Sequence, residues 1–300
     1  MKPPNFEYHR PSSLDEALAL LAEHEEAKPL AGGQSLIPAM NFRLAAPAAL
    51  VDLNGVAELD GIALHGGSSG DTGLHIGAMT RHSRVERSAE VAERAPLLAE
   101  TMPFIAHPQI RNRGTIGGSL AHADPAAELP AVMLVLGATL VLRSVSAERR
   151  VPAERFFTGL FATALAPGEL VTAIEIPAPP PHSGWAFEEM ARRHGDYALV
   201  GVAALLTLDA AGSTQGARIA LLSVGDGPVL AEHAMAALEG QQPVEAALRA
   251  AAELAATRDI DPPADIHASA DYRRQLARVL TGRALKRATK VALGRVPKLQ

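Results

Sequence analysis

The chain has 300 residues, of which 48% are hydrophobic, a formal net charge of −5 at pH 7 and no cysteine. Its length predicts about two domains with sizeable cores, and the lack of cysteine excludes disulfides, thiolate nucleophiles and cysteine-ligated iron–sulfur clusters. No apolar run is long enough to cross a bilayer and the first residues lack the apolar core of a signal peptide, so we expect a cytoplasmic protein.

The first third of the chain is predicted to begin with a helix. Residues 13–16 (Ser-Leu-Asp-Glu) have the pattern of a capping box, and leucines follow at positions 14, 18 and 21 with helical spacing. A short strand over 29–31 and a buried strand over 49–53 then enclose a glycine-rich segment. The turn-rich stretch 66–73 indicates the tip of a hairpin near the start of a larger lobe.

The middle of the chain is predicted to be helical over 89–106, with interruptions at Pro96 and Pro103, before two further strands. The proline-rich segment 177–181 cannot donate hydrogen bonds to a sheet, so it predicts a domain junction. The predicted strands are 139–143, 170–176, 185–190, 199–209 and 217–224, and the last two predicted helices are 244–258 and 272–293.

Two glycine-rich segments, 31–36 (Ala-Gly-Gly-Gln-Ser-Leu) and 115–120 (Thr-Ile-Gly-Gly-Ser-Leu), carry the strongest functional signal. Paired glycines let a backbone approach a ligand closely and present bare N–H groups to it. Neither segment is a G-x-G-x-x-G or a G-x-x-x-x-G-K-[ST] loop, which disfavours a Rossmann or P-loop site. One such glycine pair is usually a turn, but two matched segments favour a pyrophosphate site.

The residues around the second segment resemble a known family. His-Pro-Gln-Ile-Arg-Asn-Arg (107–113) leads into it, and His-Ala-Asp-Pro-Ala-Ala-Glu-Leu-Pro (122–130) leads out of it. The stretch 101–130 closely resembles the FAD-binding medium subunit of molybdenum hydroxylases, a group that includes carbon monoxide, nicotine and caffeine dehydrogenases and the flavin domain of xanthine dehydrogenase. The stretches 30–43, 6–11, 156–159 and 192–201 extend the resemblance over nearly the whole chain.

This resemblance implies an α+β fold. A two-lobed FAD-binding domain of the vanillyl-alcohol-oxidase-like type would span residues 1–177, with lobes of about 1–56 and 57–177. A small C-terminal α+β domain of the molybdenum hydroxylase flavoprotein type, with a three-stranded sheet, would span 178–300.

The resemblance also implies a function as an electron-transfer subunit. A large partner subunit would oxidise the substrate at a molybdenum cofactor, and a small partner subunit would carry electrons through two [2Fe–2S] clusters. FAD in this chain would collect the electrons and pass them to an outside acceptor. We expect the three subunits to assemble as a dimer of heterotrimers.

The resemblance further implies which residues bind FAD. Both glycine segments would clasp its pyrophosphate, and Ile105 and Tyr197 would lie on either side of the isoalloxazine ring. Asp124 and Glu128 would accept hydrogen bonds from hydroxyl groups or from the flavin, unless they only cap the next helix. The predicted cofactor-binding residues are Ala31, Gly32, Gly33, Gln34, Ser35, Leu36, Ile105, Ala106, Thr115, Ile116, Gly117, Gly118, Ser119, Asp124, Glu128 and Tyr197.

No residue of this chain is predicted to be catalytic or to ligate a metal, since the demanding chemistry would belong to the cofactor. Arg111 and Arg113 either neutralise the diphosphate or form surface ion pairs. His107 and His122 are expected to shape the loops rather than to act as acids or bases. Gln34 stands where some relatives have histidine, which leaves its contact open.

Other functions stay open at this level: a free-standing FAD-dependent oxidoreductase of the wider fold family, a non-catalytic scaffold that has lost FAD, or a molybdopterin- or nucleotide-binding module. The segment 272–300 has nine Arg or Lys residues and no acidic residue, which could suit nucleic acid. It has one aromatic residue and no recognisable readout motif, so we expect a solvated or subunit-facing helix and no nucleic-acid partner.

Overall fold

The structure, a computed structural model, describes residues 2–24, 26–66 and 72–294. Its N-terminal part contains β1 (Glu7–His9), α1 (Leu14–Glu23), β2 (Ala27–Leu30), α2 (Leu36–Asn41) and β3 (Ala49–Asp52), followed by 3₁₀ turns at Leu53–Gly55 and Ala57–Leu59. The three strands form a parallel sheet in the order β1-β3-β2. Because parallel strands point the same way, β2 and β3 end at one edge of this N-terminal sheet, where the first glycine segment begins.

Helix α1 starts at the predicted position, with a modified cap. The Ser13 hydroxyl accepts a hydrogen bond from the Glu16 backbone N–H, as expected of a capping residue. The Glu16 carboxylate, however, accepts from the backbone N–H of Ser12 at 2.8 Å and not from that of Ser13. The reciprocal bond of the predicted capping box is therefore displaced by one residue.

The central part of the chain builds a second sheet. Its elements are β4 (Ile62–Gly66), β5 (Thr72–Gly77), α3 (His82–Arg87), α4 (Ala89–Arg94), α5 (Pro96–Thr101), a 3₁₀ turn at Met102–Phe104, α6 (Pro108–Arg111), α7 (Ile116–His122), α8 (Glu128–Leu136), β6 (Thr139–Arg143), β7 (Glu148–Pro152), α9 (Ala153–Phe156), β8 (Phe157–Gly159), β9 (Ala162–Thr163) and β10 (Leu170–Ile176). The central sheet is antiparallel in the order β4-β5-β10-β6-β7. Strands β4 and β5 form the predicted hairpin, although most of its predicted tip, residues 67–71, lies outside the described residues.

The C-terminal part contains β11 (Ser183–Ala191), β12 (Ala198–Leu208), β13 (Thr214–Leu222), β14 (Val229–Leu230), α10 (Glu232–Leu238), α11 (Glu245–Thr257) and α12 (Ala270–Leu293). Its sheet has the order β11-β12-β13-β14, so the three predicted strands are joined by a fourth of only two residues. The expected α+β fold is confirmed.

Strand β12 packs against helices on both faces of the C-terminal sheet. All eleven residues of the strand are buried, and they alternate between two cores. Ala203 and Leu205 belong to the core that includes the wholly buried helix α8, whereas Val202, Ala204 and Leu206 belong to the core beneath α12. The C-terminal sheet is therefore packed between the central helices and its own helices.

Helix α12 is the predicted basic helix, and its charges are largely paired within this chain. Five of its cations meet carboxylates outside the helix: Arg273 meets Asp265, Arg274 meets Asp261, Arg278 meets Glu253, Lys286 meets Glu245, and Arg287 meets Glu100 and Glu188. The last six residues of the predicted basic segment lie outside the described residues. Within the described part of the chain, neither α12 nor any other helix is long and apolar enough to cross a membrane.

Candidate functional site

The two glycine segments meet between the N-terminal and central sheets. The first connects the end of β2 to α2, and the second forms the beginning of α7. Gly32 lies so close to the opposite loop that a β-carbon on it would stand 2.4 Å from the carbonyl oxygen of Arg113. A β-carbon on Gly118 would stand 3.3 Å from that of Ala31. Segments about 80 residues apart in sequence thus lie against each other.

The first glycine segment presents a row of free hydrogen-bond donors. Five consecutive backbone N–H groups, those of Gly32, Gly33, Gln34, Ser35 and Leu36, have no hydrogen-bond acceptor among the described residues. Gly33 has a φ of +71°, a conformation that glycine adopts without strain, and this turns the segment into α2. The Ser35 side chain makes no capping bond, while Gln34 turns back to donate to the Gly32 carbonyl at 3.1 Å. Such a row of N–H groups suits an anion with several oxygens.

The second glycine segment differs from the expectation of a loop with free N–H groups. Its residues form the first turn of α7, and their N–H groups donate within the protein: Ile116 to the Thr80 carbonyl, Gly117 to the Ala78 carbonyl, Gly118 to the Thr115 hydroxyl and Ser119 to the Thr115 carbonyl. These four backbone donors are therefore engaged within the protein. The physical reason is twofold: Thr115 caps the helix and accepts from Gly118 and Ser119, and the carbonyls of Thr80 and Ala78 accept from Ile116 and Gly117. The segment still offers the hydroxyls of Thr115 and Ser119.

A cleft of about 390 Å³ opens beside the first glycine segment. Its lining residues are Tyr8, Leu30, Ala31, Gly32, Gly33, Gln34, Ile37, Asp52, Asn54 and Arg113. The Tyr8 hydroxyl donates to the Asp52 carboxylate, which also accepts from the Asn54 backbone N–H at 3.0 Å. Burial raises the pKa of Asp52, but the hydrogen bonds from Tyr8 and Asn54 outweigh it, so this pKa lies below its ordinary value.

Tyr8, Asp52 and Asn54 were not among the residues predicted from sequence. Asn54 donates to the Ala31 carbonyl at 3.0 Å, so it fixes the start of the first glycine segment. The Arg81 guanidinium donates to both Asn54 and the Arg113 carbonyl, which ties the two facing loops together. A usable signal existed: polar residues directly after a buried parallel strand lie at the edge where such sheets bind ligands.

The two candidate arginines have different surroundings. Arg113 is exposed and lines the cleft, where it is available to an anion. Arg111 is buried and forms a two-pronged ion pair with Glu86, with nitrogen–oxygen distances of 2.9 and 3.2 Å. It also donates to the carbonyls of Ile105 and Ala106, so it fixes the backbone there and is not free for a diphosphate. Ile105 is buried, and Ala106 has a φ of +46°.

A group of carboxyls lies on the other side of the second segment. Asp124 accepts from the Ala126 backbone N–H at 2.9 Å and so makes a turn, not the helix cap that was the alternative. Glu128, at the start of α8, is only 8% exposed, and burial, with a smaller contribution from Asp124, raises its pKa to about 7. Glu189 on β11 was missed by sequence reasoning: burial, with the charge of Glu128, raises its pKa to about 8. One buried oxygen of Glu189 has no hydrogen-bond partner among the described residues.

Tyr197 is brought beside these carboxyls, although 69 positions separate it from Glu128. Its side chain is 71% exposed, so it stands at the rim of the site. Nearby protein atoms displace water from the hydroxyl, and Asp124 and Glu128 add negative charge, so the pKa of Tyr197 is raised. Of the two histidines, His107 packs against Gly195 and His122 against Phe161.

The fold and the site define a class. The parallel N-terminal sheet and the antiparallel central sheet meet at the two glycine segments, and a separate C-terminal sheet with helices follows. Within this class, residues 4–179 match the family described as FAD binding domain in molybdopterin dehydrogenase, and residues 185–288 match the CO dehydrogenase flavoprotein C-terminal domain. The chain belongs to this family of oxidoreductase flavoprotein subunits and carries an FAD-binding domain.

Similar proteins cover the chain almost from end to end. It is 43% identical to 6-hydroxypseudooxynicotine dehydrogenase complex subunit alpha of Paenarthrobacter nicotinovorans, over 96% of each chain. It is also 43% identical to the carbon monoxide dehydrogenase medium chain of Afipia carboxidovorans, over 96% of this chain and 98% of that one. Among solved structures, carbon monoxide dehydrogenase from Hydrogenophaga pseudoflava superposes with a TM-score of 0.92 at 41% identity, covering 97% of this chain and 99% of that chain. Quinoline 2-oxidoreductase from Pseudomonas putida 86 gives 0.91 at 43% identity, covering 98% and 100%.

Proposed function

We propose that this protein is the FAD-binding electron-transfer subunit of a molybdenum-containing hydroxylase or dehydrogenase. It takes electrons from [2Fe–2S] clusters of a small partner subunit and passes them to an external acceptor. A large partner subunit holds the molybdenum cofactor and oxidises the substrate, and the complex is a dimer of heterotrimers. The relatives support this proposal, since their names describe a complex subunit and a medium chain. The cytoplasmic location stays a prediction from sequence.

The observation that carries the proposal is the row of five free N–H groups from Gly32 to Leu36, beside a cleft between two sheets. Gly32 is buried, while Gln34 and Ser35 are exposed, so the row of donors is open to a ligand that enters from the cleft and supplies acceptors. The pyrophosphate of FAD supplies such acceptors. When bound, FAD supplies the redox chemistry by accepting and releasing electrons.

The residues of this chain would then share the work. The first glycine segment and the Arg113 guanidinium hold the diphosphate, and the hydroxyls of Thr115 and Ser119 add two donors. Asp124 and Glu128 accept hydrogen bonds from hydroxyl or ring N–H groups; because the pKa of Glu128 is about 7, this carboxyl also holds a proton near neutral pH. The other predicted residues shape the walls: Ala31, Ile105, Ala106, Ile116, Gly117, Gly118 and, at the rim, Tyr197.

We also propose a division of the chain into domains at residues 177 and 178. Strand β10 ends at Ile176 and β11 begins at Ser183, and four of the six residues between them are proline. The proposed N-terminal domain would contain lobes of about 1–56, with the N-terminal sheet, and 57–177, with the central sheet.

Absorbance spectroscopy tests the proposal directly. The purified chain should show a flavin spectrum without iron absorption, and acid treatment should release FAD. Co-purification from cells should then yield a large molybdenum subunit and a small iron–sulfur subunit. Bound FAD with a native mass of one chain and an intrinsic substrate turnover would favour a free-standing oxidoreductase instead. A colourless chain that fails to take up added FAD would refute the assignment.

A further inference from the structure

Three metal-ligating side chains lie together in the N-terminal part, away from the cleft. Glu7, His9 and His24 each offer one ligand atom, and these atoms lie within 4.8 Å of one another. Glu7 and His9 are two positions apart on β1, so their side chains point to the same face of the strand. Tyr8, between them, points to the opposite face and lines the cleft. The cluster is therefore separate from the proposed FAD site.

One buried polar atom of this cluster lacks a partner that would explain it. His9 Nε2 is buried and has no hydrogen-bond partner among the described residues. It lies 3.4 Å from Glu7 Oε2, which exceeds the usual hydrogen-bond range of about 2.7–3.2 Å. Two ligands of one tetrahedral zinc ion, each about 2.0–2.1 Å from the metal, are separated by about 3.4 Å. The observed separation is therefore that of two ligands of one ion.

Both histidines are held by fixed backbone. His9 lies in β1, paired with Val51 of β3. His24 ends α1: its N–H donates to the Leu20 carbonyl at 3.1 Å, and its own carbonyl accepts from Ala27 at 2.9 Å. The two imidazole rings lie face to face, with centroids 5.0 Å apart and planes 27° from parallel. The exposed Glu7 side chain can adjust to close the site around an ion.

We propose that Glu7, His9 and His24 bind a divalent transition-metal ion, zinc before others. Two imidazoles and one carboxylate form a borderline-soft donor set that suits zinc, with the fourth tetrahedral position left for water. The ion would join the first strand to the end of the first helix. Its binding would therefore stabilise the N-terminal part of the fold.

A second cluster in the described part of the chain provides the control. His65, His75 and Glu175 also lie within ligand distance, on the outer face of the central sheet. There the Glu175 carboxylate is already held by the Arg150 guanidinium at 3.1 to 3.2 Å. A metal ion would have to compete with this ion pair, so we expect weaker binding at the second cluster.

The experiment uses the full chain without an affinity tag, loaded with zinc chloride and then dialysed extensively. Elemental mass spectrometry should find one zinc ion per wild-type chain. The His9→Ala and His24→Ala variants should lose this zinc, and the His75→Ala variant should retain it. Zinc should raise the melting temperature of the wild type but not of His9→Ala. Glu7→Gln, at an exposed position, should fold normally and bind zinc more weakly, which covers the case in which a histidine variant fails to fold. The proposal is overturned if the wild type retains no zinc, if His9→Ala and His24→Ala retain it, or if only His75→Ala loses it.

Discussion

Replacing Gly32 by alanine is the sharpest test of the contact between the two facing loops. A β-carbon at this position would stand 2.4 Å from the Arg113 carbonyl oxygen and 2.7 Å from the Gly114 α-carbon. Ordinary contact begins near 3.4 Å, so the overlap with the carbonyl oxygen is 1.0 Å (3.4 − 2.4). Both obstructing atoms belong to backbone and cannot rotate away. The loops must separate by a comparable distance.

This displacement has two expected consequences. Overpacking of a fitted contact lowers the free energy of unfolding by about 1–3 kcal/mol. A shift of about 1 Å also takes at least one N–H of the first glycine segment out of hydrogen-bond range of a phosphate oxygen. A hydrogen bond to a charged group contributes about 1.5–3 kcal/mol. The dissociation constant for FAD should therefore rise by about 10- to 150-fold.

Titration of the FAD-free chain with FAD, followed by flavin fluorescence, measures this dissociation constant, and thermal unfolding measures stability. Gly216→Ala is the matched control, because a β-carbon at Gly216 meets no atom within 4 Å. If Gly32→Ala bound FAD and melted in the same way as Gly216→Ala, the first glycine segment would not be the phosphate cradle.

Three further substitutions test the surroundings of the site. Arg111→Ala leaves the Glu86 carboxylate unpaired and should lower the free energy of unfolding by about 3–5 kcal/mol. Arg143→Ala breaks an exposed ion pair and, as the control, should lower it by less than about 1 kcal/mol. Equal losses of the two variants in denaturant titrations would refute this prediction. The pKa of Glu128 in the folded protein, about 7, exceeds its ordinary 4.5, so ionisation of this carboxyl lowers the free energy of unfolding by up to about 3 kcal/mol as pH rises between these values. Glu128→Gln should flatten this pH dependence when the free energy of unfolding is measured at pH 5 and pH 8. An unchanged difference between the two pH values would contradict the prediction. Tyr197→Ala should change the flavin reduction potential while most of the FAD stays bound, and Tyr272→Ala is the control. Loss of FAD at an unchanged potential would show that Tyr197 does not lie beside the flavin ring.

Local patterns predicted most of the secondary structure because they reflect nearby physics. The capping serine at position 13 and the helical spacing of leucines located α1, and the prolines at 177–181 marked the gap between two sheets. The second glycine segment was misjudged in its conformation, since its sequence does not reveal that the hydroxyl of Thr115 caps a helix. Whether a glycine N–H is free depends on acceptors such as the Ala78 carbonyl, which are distant in sequence.

The sequence by itself determined the class of cofactor site, because paired glycines and their flanking residues are local features that a resemblance can carry. It also singled out Glu128 and Tyr197 as candidate residues, though not their proximity. Only the tertiary structure decided which donors are free, that Arg111 is committed to an ion pair, and that Glu189 lies near Glu128. These properties arise from burial and from contacts between residues far apart in the chain, and a single sequence does not specify such distances.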